Sequence, residues 1–407
     1  MGVTPLMWKA LDRFQSYFSL LWTYPVEWNV TKKKLVITPI SKKLVPWMIS
    51  VFVLLNTLNT ASLCLLVAKL FGFVQLSFSV TLVTLGWWVS STFAFFLEVL
   101  VCKFAKSGTN SFNWILSLEQ ELYKGNNSAS RITRPSPPSP DWKGLTLTTL
   151  IHLIFFQSIF LYIFLVLIFR LDPYYILEET LLPYPASLPV KFLLHLFRVT
   201  TWIPISQVAR IISFILATSI VAANLALSCI SALEKATSSR ETWTNKDATT
   251  RHLLDYTRCQ LIFGIGYAPT MAISSFLCLW FSVLFNFISL KMHHLLDASI
   301  VYLYYPVIAV MMTAMVEMTL PLLVDVYEDS REIHAKWRGM LGISGDMKYF
   351  KRKLRSISVI AVYGGINSYN FYKCKKSTKL TYISAVLNYT ITATLSIDIG
   401  RGFHYQG

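Results

Sequence analysis

Charge is what this chain has least of. Asp, Glu, Lys and Arg make up 14% of its 407 residues, against roughly 25% in an ordinary soluble domain. Apolar residues make up 54% and the mean hydropathy is +0.50. A pair of soluble domains is excluded on that ground, and a chain that crosses a bilayer repeatedly is implied. Paired cysteines are missing as well. Of Cys64, Cys102, Cys229, Cys259, Cys278 and Cys374, all but Cys259 and Cys374 fall inside apolar segments, and no C-x-x-C occurs. Neither a disulfide framework nor a zinc site is expected, and no other metal or cofactor is indicated. The N-terminus lacks the basic start, clean apolar core and small-residue cleavage site of a signal peptide, so the first span is expected to serve as the insertion signal. No Ser/His/Asp set, His-rich cluster or phosphate-binding loop occurs at usable spacing, and the chain is not expected to be an enzyme.

What is present is a series of seven apolar runs: 45–70, 77–102, 145–169, 199–230, 261–290, 298–324 and 380–397. The fold expected is an all-α membrane protein with seven transmembrane helices, multi-pass in the cell membrane. The net charge of +16 gathers between the runs, so it reports orientation rather than a nucleic-acid partner. Lys9, Arg13, Lys32 to Lys34, Lys42 and Lys43 precede the first run. Lys103, Lys106, Lys124, Arg131, Arg134 and Lys143 follow the second, and Lys235, Arg240, Lys246, Arg251 and Arg258 follow the fourth. Arg331, Lys336, Arg338, Lys348, Lys351 to Lys353 and Arg355 follow the sixth, while the alternate loops carry few. The N-terminus is therefore expected to be cytoplasmic and, after seven crossings, the C-terminus extracellular. The stretch GNNSASRITRPSPPSPDWKG between the second and third runs reads as an extended or disordered loop.

The last run is unusual, because KSTKLTYISAVLNYTITATLSIDIG is dotted with Thr, Ser and Asn. At 100° per residue, Ala385, Asn388 and Thr392 fall within roughly 40° of Thr381, with Ser384 and Ser396 about 60° to either side. Ile383, Val386, Leu387 and Thr390 take the other side, with Ile391 on the flank. Such a small polar stripe suits two roles. It lets helices pack closely in a membrane, or it faces water and partly hydrated ions along a pore, which lipid cannot replace as a partner. In a pore, copies of Asn388 would form a ring of neutral dipoles, and Asp398 at the outer mouth would concentrate cations.

Seven runs, a cytoplasmic N-terminus, long polar inner loops and this ending together resemble the insect gustatory receptor family, in the superfamily that also holds the odorant receptors. The family signature in the last helix is Thr-Tyr, five apolar residues, Gln, Phe. Here Thr381 and Tyr382 match, Ile383 to Leu387 match in number with Ser384 polar, Asn388 stands for Gln and Tyr389 for Phe. The resemblance implies a taste-type chemosensory receptor in the plasma membrane of sensory neurons, acting as a ligand-gated, non-selective cation channel. It implies a homo- or hetero-tetramer with related receptors around one central pore, lined by Thr381, Ser384, Ala385, Asn388, Thr392 and Asp398, and opened by a small-molecule tastant or odorant. The seventh segment is then split. Residues 1–44 form a cytoplasmic segment, and 45–324 hold spans one to six with a ligand pocket in their outer halves. Residues 325–379 form a cytoplasmic anchor region with the inner half of segment seven, and 380–407 the pore helix and a short extracellular tail.

Aromatics with polar tips in the outer halves of spans two to six are candidates for that pocket: Trp87, Trp88, Tyr162, Trp202, Gln207 (an amide among them), Trp280, Tyr302, Tyr304 and Tyr305. An interfacial aromatic belt or plain core packing is the alternative for each. Tyr302, Tyr304 and Tyr305 stand out because they cluster just before Pro306, which favours a kink. Glu98, Arg210 and Glu317 lie near inner span ends, where snorkelling to the interface accounts for them. Lys373, Lys375, Lys376 and Lys379, at the break in the seventh segment, are expected to meet lipid headgroups or acidic groups of a neighbouring subunit. A G-protein-coupled receptor fits less well. The orientation is reversed, Asp-Arg-Tyr is missing after span three and Asn-Pro-x-x-Tyr in span seven, and no outer disulfide pair exists. A secondary transporter lacks its two-fold repeat.

Overall fold

The computed structural model of the chain describes residues 3–127, 141–182, 187–264, 267–291, 300–344, 346–366 and 369–396. Before the first span the chain is already folded. Helix α1 (Pro5–Phe18) starts at Thr4, whose hydroxyl accepts from the amide of Met7 at 3.3 Å, with Pro5 in the first turn where its missing N–H costs nothing. Its apolar stripe of Met7, Ala10, Leu11, Phe14 and Phe18 is buried. An antiparallel hairpin follows, β1 (Val26–Asn29) with β2 (Lys34–Ile37). Asn29 Oδ1 accepts from the amide of Lys32 at 2.8 Å and turns the chain.

Next come α2 (Val45–Met48), π-helical turns over Ile49–Leu55, and α3 (Asn56–Leu70), which together make the first candidate span. Helix α4 (Phe78–Asn127) runs for 50 residues, about 75 Å at 1.5 Å per residue. Helix α5 (Trp142–Leu161) ends in π-helical turns over Tyr162–Ile168. The short α6 (Pro173–Thr180) and α7 (Leu188–Thr200) lead into α8 (Trp202–Thr237), most of whose surface is buried, as suits the central helix of the bundle. Helices α9 (Arg240–Thr244) and α10 (Lys246–Gly264) precede α11 (Tyr267–Lys291) and α12 (Ile300–Met340). The chain closes with α13 (Met347–Ser356), a hairpin of β3 (Tyr363–Ile366) and β4 (Tyr369–Lys373), and α14 (Lys376–Ser396).

Among the described residues, 6 helical stretches are long and apolar enough to span a bilayer. The 21-residue α14, packed on α11 and α12, adds a more polar seventh. The architecture is the all-α membrane bundle expected, with two small hairpins added. It is a multi-pass membrane protein.

Helices α4, α8 and α12 outrun a hydrocarbon core of about 30 Å. Their overhangs meet at one end of the bundle, the basic end, where α9, α10 and α13 pack among them. Trp243, Tyr256, Trp337 and Phe350 are buried there. Trp337 Nε1 donates to Thr237 Oγ1 at 2.8 Å, and Trp243 Nε1 donates to the Thr237 carbonyl at 2.9 Å. Among the described residues, the polar stretches expected between spans two and three, four and five, and six and seven are thus largely helical; residues 128–140 of the GNNSASRITRPSPPSPDWKG loop lie outside the described ones.

Residues 363–373, read from the sequence as part of the inner half of the seventh segment, form a hairpin with a bulge at Gly364/Gly365. A Cβ on Gly365 would collide with the Tyr369 carbonyl oxygen, which is backbone and cannot swing away. Gly365→Ala is expected to cost about 1–3 kcal/mol and to open the hairpin to trypsin at Lys373, read as a new early cleavage product.

Candidate functional site

A partly open cavity of about 370 Å³ lies among α4, α5, α8, α11, α12 and α14. Its upper part, away from the basic end, is walled by Gly86, Trp87, Leu165, Phe285 and Tyr305. Met311, Met312 and Met315 supply adaptable apolar surface lower down. No Asp, Glu, Lys, Arg or His lines it among the described residues. Several hydroxyls on its wall are turned back to their own helix. Ser91 donates to the Trp88 carbonyl at 3.1 Å, Ser158 to Phe155 at 2.7 Å and Thr218 to Phe214 at 2.7 Å. A site of this kind accepts an uncharged, largely apolar molecule and rejects an ion, whose desolvation nothing here repays.

Of the pocket candidates read from the sequence, Trp87 and Tyr305 line the cavity. Trp87 is held by its indole N–H, which donates to the Leu171 carbonyl at 3.1 Å. The same loop is pinned by an ion pair to the buried Asp172, Arg198 Nε to Asp172 Oδ2 at 3.0 Å. Trp88 packs partly buried against the core. Tyr162 donates to the Val199 carbonyl at 3.0 Å, and Trp202 and Trp280 are 41% and 48% exposed. These three do not line the cavity. Tyr302 and Tyr304 sit in the first turns of α12, and their side chains lie outside the described residues. The cavity wall also includes Tyr382, second residue of the terminal motif, carried by α14 itself.

Gln207 belongs to a different structure. Its amide donates to Glu98 Oε1 at 2.7 Å, and Tyr24 Oη donates to Glu98 Oε2 at 2.9 Å. Arg210 Nη1 donates to the Trp22 carbonyl at 2.9 Å, and its guanidinium lies 4.3 Å from the centroid of the Tyr24 ring. Glu98, Gln207 and Arg210 are all buried, so snorkelling does not describe Glu98 or Arg210. They form an internal knot that ties the N-terminal segment to α4 and α8. The sequence signal was present, an ionisable residue inside an apolar run plus Gln207 and Arg210 one turn apart on another. The partner Tyr24 stands outside any span and leaves no sequence trace. Glu317 is different again, since it receives Lys379 Nζ at 2.8 Å on the half-exposed surface between α12 and α14. Lys373 Nζ sits 3.9 Å from the Tyr327 ring centroid. Lys373 and Lys379 thus have partners within their own chain.

On α14, Thr381, Ser384, Asn388 and Thr392 are all exposed, and Ala385 is half-buried. The helix packs through the opposite side, where Thr390 is buried. Asn388 Nδ2 donates to Ser384 Oγ at 3.4 Å along the stripe. Tyr389 is 58% exposed. Asp398 lies outside the described residues. Among the described residues, the polar members of the stripe are therefore uncovered within one chain.

No family model matches the sequence, and no curated protein does. The structure does resemble solved ones. The insect olfactory receptor OR5 from Machilis hrabei aligns with a TM-score of 0.58 at 10% identity, over 96% of this chain and 98% of that one. The same receptor in complex with eugenol aligns with a TM-score of 0.55 at 11% identity, over the same shares. The chain has the fold of these insect olfactory receptors. The resemblance read from its last helix is to the gustatory branch of that superfamily.

Proposed function

We propose that this chain is a chemosensory receptor that is itself a ligand-gated, non-selective cation channel, assembled as four subunits around one pore and oriented with its N-terminus in the cytoplasm. The observation that carries the reading is Tyr382. It stands on the wall of an uncharged cavity and on the same helix as an outward polar stripe. A molecule filling the cavity touches the helix whose far face presents Thr381, Ser384, Asn388 and Thr392. Binding favours the open state to the extent that the cavity holds its ligand more tightly when α14 has moved. The likeness to an olfactory receptor solved with eugenol supports a small organic ligand, and the terminal motif supports a taste-type assignment. The plasma membrane of sensory neurons is the matching location.

Expressed alone in a cell line with G-protein signalling blocked, the chain is expected to give a ligand-evoked cation current. Trp87→Ala removes a ring from the cavity wall and its tie to the Leu171 carbonyl. It is expected to shift the half-maximal concentration upward by about ten-fold or more. A current that disappears with the block supports a receptor signalling through a G protein instead.

A further inference from the structure

The cavity does not stop at the upper pocket. It is also lined by Phe104, Gly108, Thr109 and Phe112 on the overhang of α4, and by Val26 and Leu35 on the N-terminal hairpin. Leu82 and Phe112, both on its wall, stand 30 residues apart on one helix (112 minus 82), about 45 Å along the axis. The lower part is thus a long extension toward the basic end. The hairpin forms its floor and is clamped in place. The Leu35 amide donates to Asn113 Oδ1 at 3.0 Å, and Asn113 Nδ2 donates to the Leu35 carbonyl at 2.8 Å.

Two features of this extension bear on what it could hold. A Cβ added at Gly108 meets nothing within 4 Å, and the same is true of Gly86 in the upper pocket, so open space lies against both. And Thr109, 4% exposed, has no hydrogen-bond partner for its hydroxyl among the described residues. Ser274, also on the cavity wall, shares that lack, whereas two other threonines on these helices give their hydroxyls away. Thr84 donates to the Val80 carbonyl and Thr319 to the Met315 carbonyl, each at 2.8 Å. A buried hydroxyl left without a partner on an otherwise apolar wall is a place for one polar group of a ligand.

We propose that this inner compartment is a second binding site, which takes an elongated aliphatic chain bearing one neutral hydrogen-bonding group that meets Thr109. The length of the lined stretch suits a chain, and the lining has no group to pair with a charge. Either the bilayer or the outside medium is the source. The proposal shares the cavity with the function proposed above but rests on the lower half of its wall, and binding tests it without any current.

The purified full-length chain is titrated with straight-chain 1-alkanols of six to sixteen carbons, with binding read as a shift in thermal unfolding. In the native chain, affinity is expected to rise roughly four-fold per added methylene, the transfer increment for a buried CH₂, and to keep rising into the longer members. Gly108→Leu is expected to end that rise early, weakening the longest alkanols at least ten-fold and leaving the shortest unchanged. Thr109→Val is expected to weaken a long alkanol several-fold and leave the alkane of equal length unchanged. Gly86→Leu does the reverse of Gly108→Leu, weakening the short members, and its failure to do so counts against the upper pocket alone. Long-chain lipid that co-purifies with the native chain and is reduced in Gly108→Leu marks the bilayer as the source; binding only of added alkanol marks the medium. If Gly108→Leu does not fold, Gly108→Ala and Thr109→Val carry the test. Chain-length dependence identical in the native chain and the folded variants, with no long-chain lipid retained, overturns the proposal.

Discussion

Glu98→Ala is expected to destabilise the chain by about 3–5 kcal/mol, the cost of breaking a buried polar network by removing one member. Glu98 is 0% exposed and accepts from Tyr24 Oη and Gln207 Nε2. Removing the carboxylate leaves both donors buried without an acceptor. Gln207 Oε1 and Arg210 Nε already lack partners among the described residues, so the knot has little slack to absorb the loss. Glu98→Gln keeps an acceptor oxygen and is expected to cost far less, about 1 kcal/mol. Thermal unfolding in detergent checks the order of the two. Limited proteolysis checks the location, because Tyr24 and the Arg210-bound Trp22 carbonyl fasten residues 19–25 to the bundle. A Glu98→Ala chain that unfolds with the native midpoint and keeps its N-terminal segment protected contradicts the account of the knot.

The second large effect is on conduction. Asn388→Lys is expected to reduce a ligand-evoked cation current at least ten-fold, since four ammonium groups around one axis would repel cations at close range. Asn388 does not line the cavity, so ligand binding, read by thermal shift, is expected to be unchanged. Asn388→Ala is expected to conduct with altered selectivity. The same lysine at Thr390, on the packed face, would instead impair folding. Native current through the Asn388→Lys channel would remove Asn388 from the pore wall.

Much of the bundle was legible in the sequence, because lipid-facing helices announce themselves by hydropathy. The run at 77–102 corresponds to the start of α4, but the helix continues to Asn127. Hydropathy ends where the helix leaves the bilayer; past that point only a 3.6-residue pattern persists, with Phe112, Ile115 and Leu118 buried. The same holds for α12, which runs on to Met340. The fifth run, 261–290, covers the end of α10 and nearly all of α11, with residues 265–266 outside the described ones. The hairpin at 363–373 is too short and too mixed in pattern to distinguish from a broken helix. The upper pocket was legible in part. Trp87 and Tyr305 announce themselves as aromatics in the span halves away from the basic end, but which aromatics converge depends on helix rotation, and Trp202 and Trp280 turn outward. The inner compartment was not legible at all, because its markers are two ordinary residues, Gly108 and Thr109, and a hairpin nearly eighty residues upstream.

The most direct measurement is cation flux into liposomes that contain only this purified chain, triggered by an uncharged small molecule shown by thermal shift to bind it. The account predicts a ligand-dependent influx with no other protein present, reduced by Asn388→Lys with binding unaltered. A ligand that binds the reconstituted chain and opens no path for cations would contradict it.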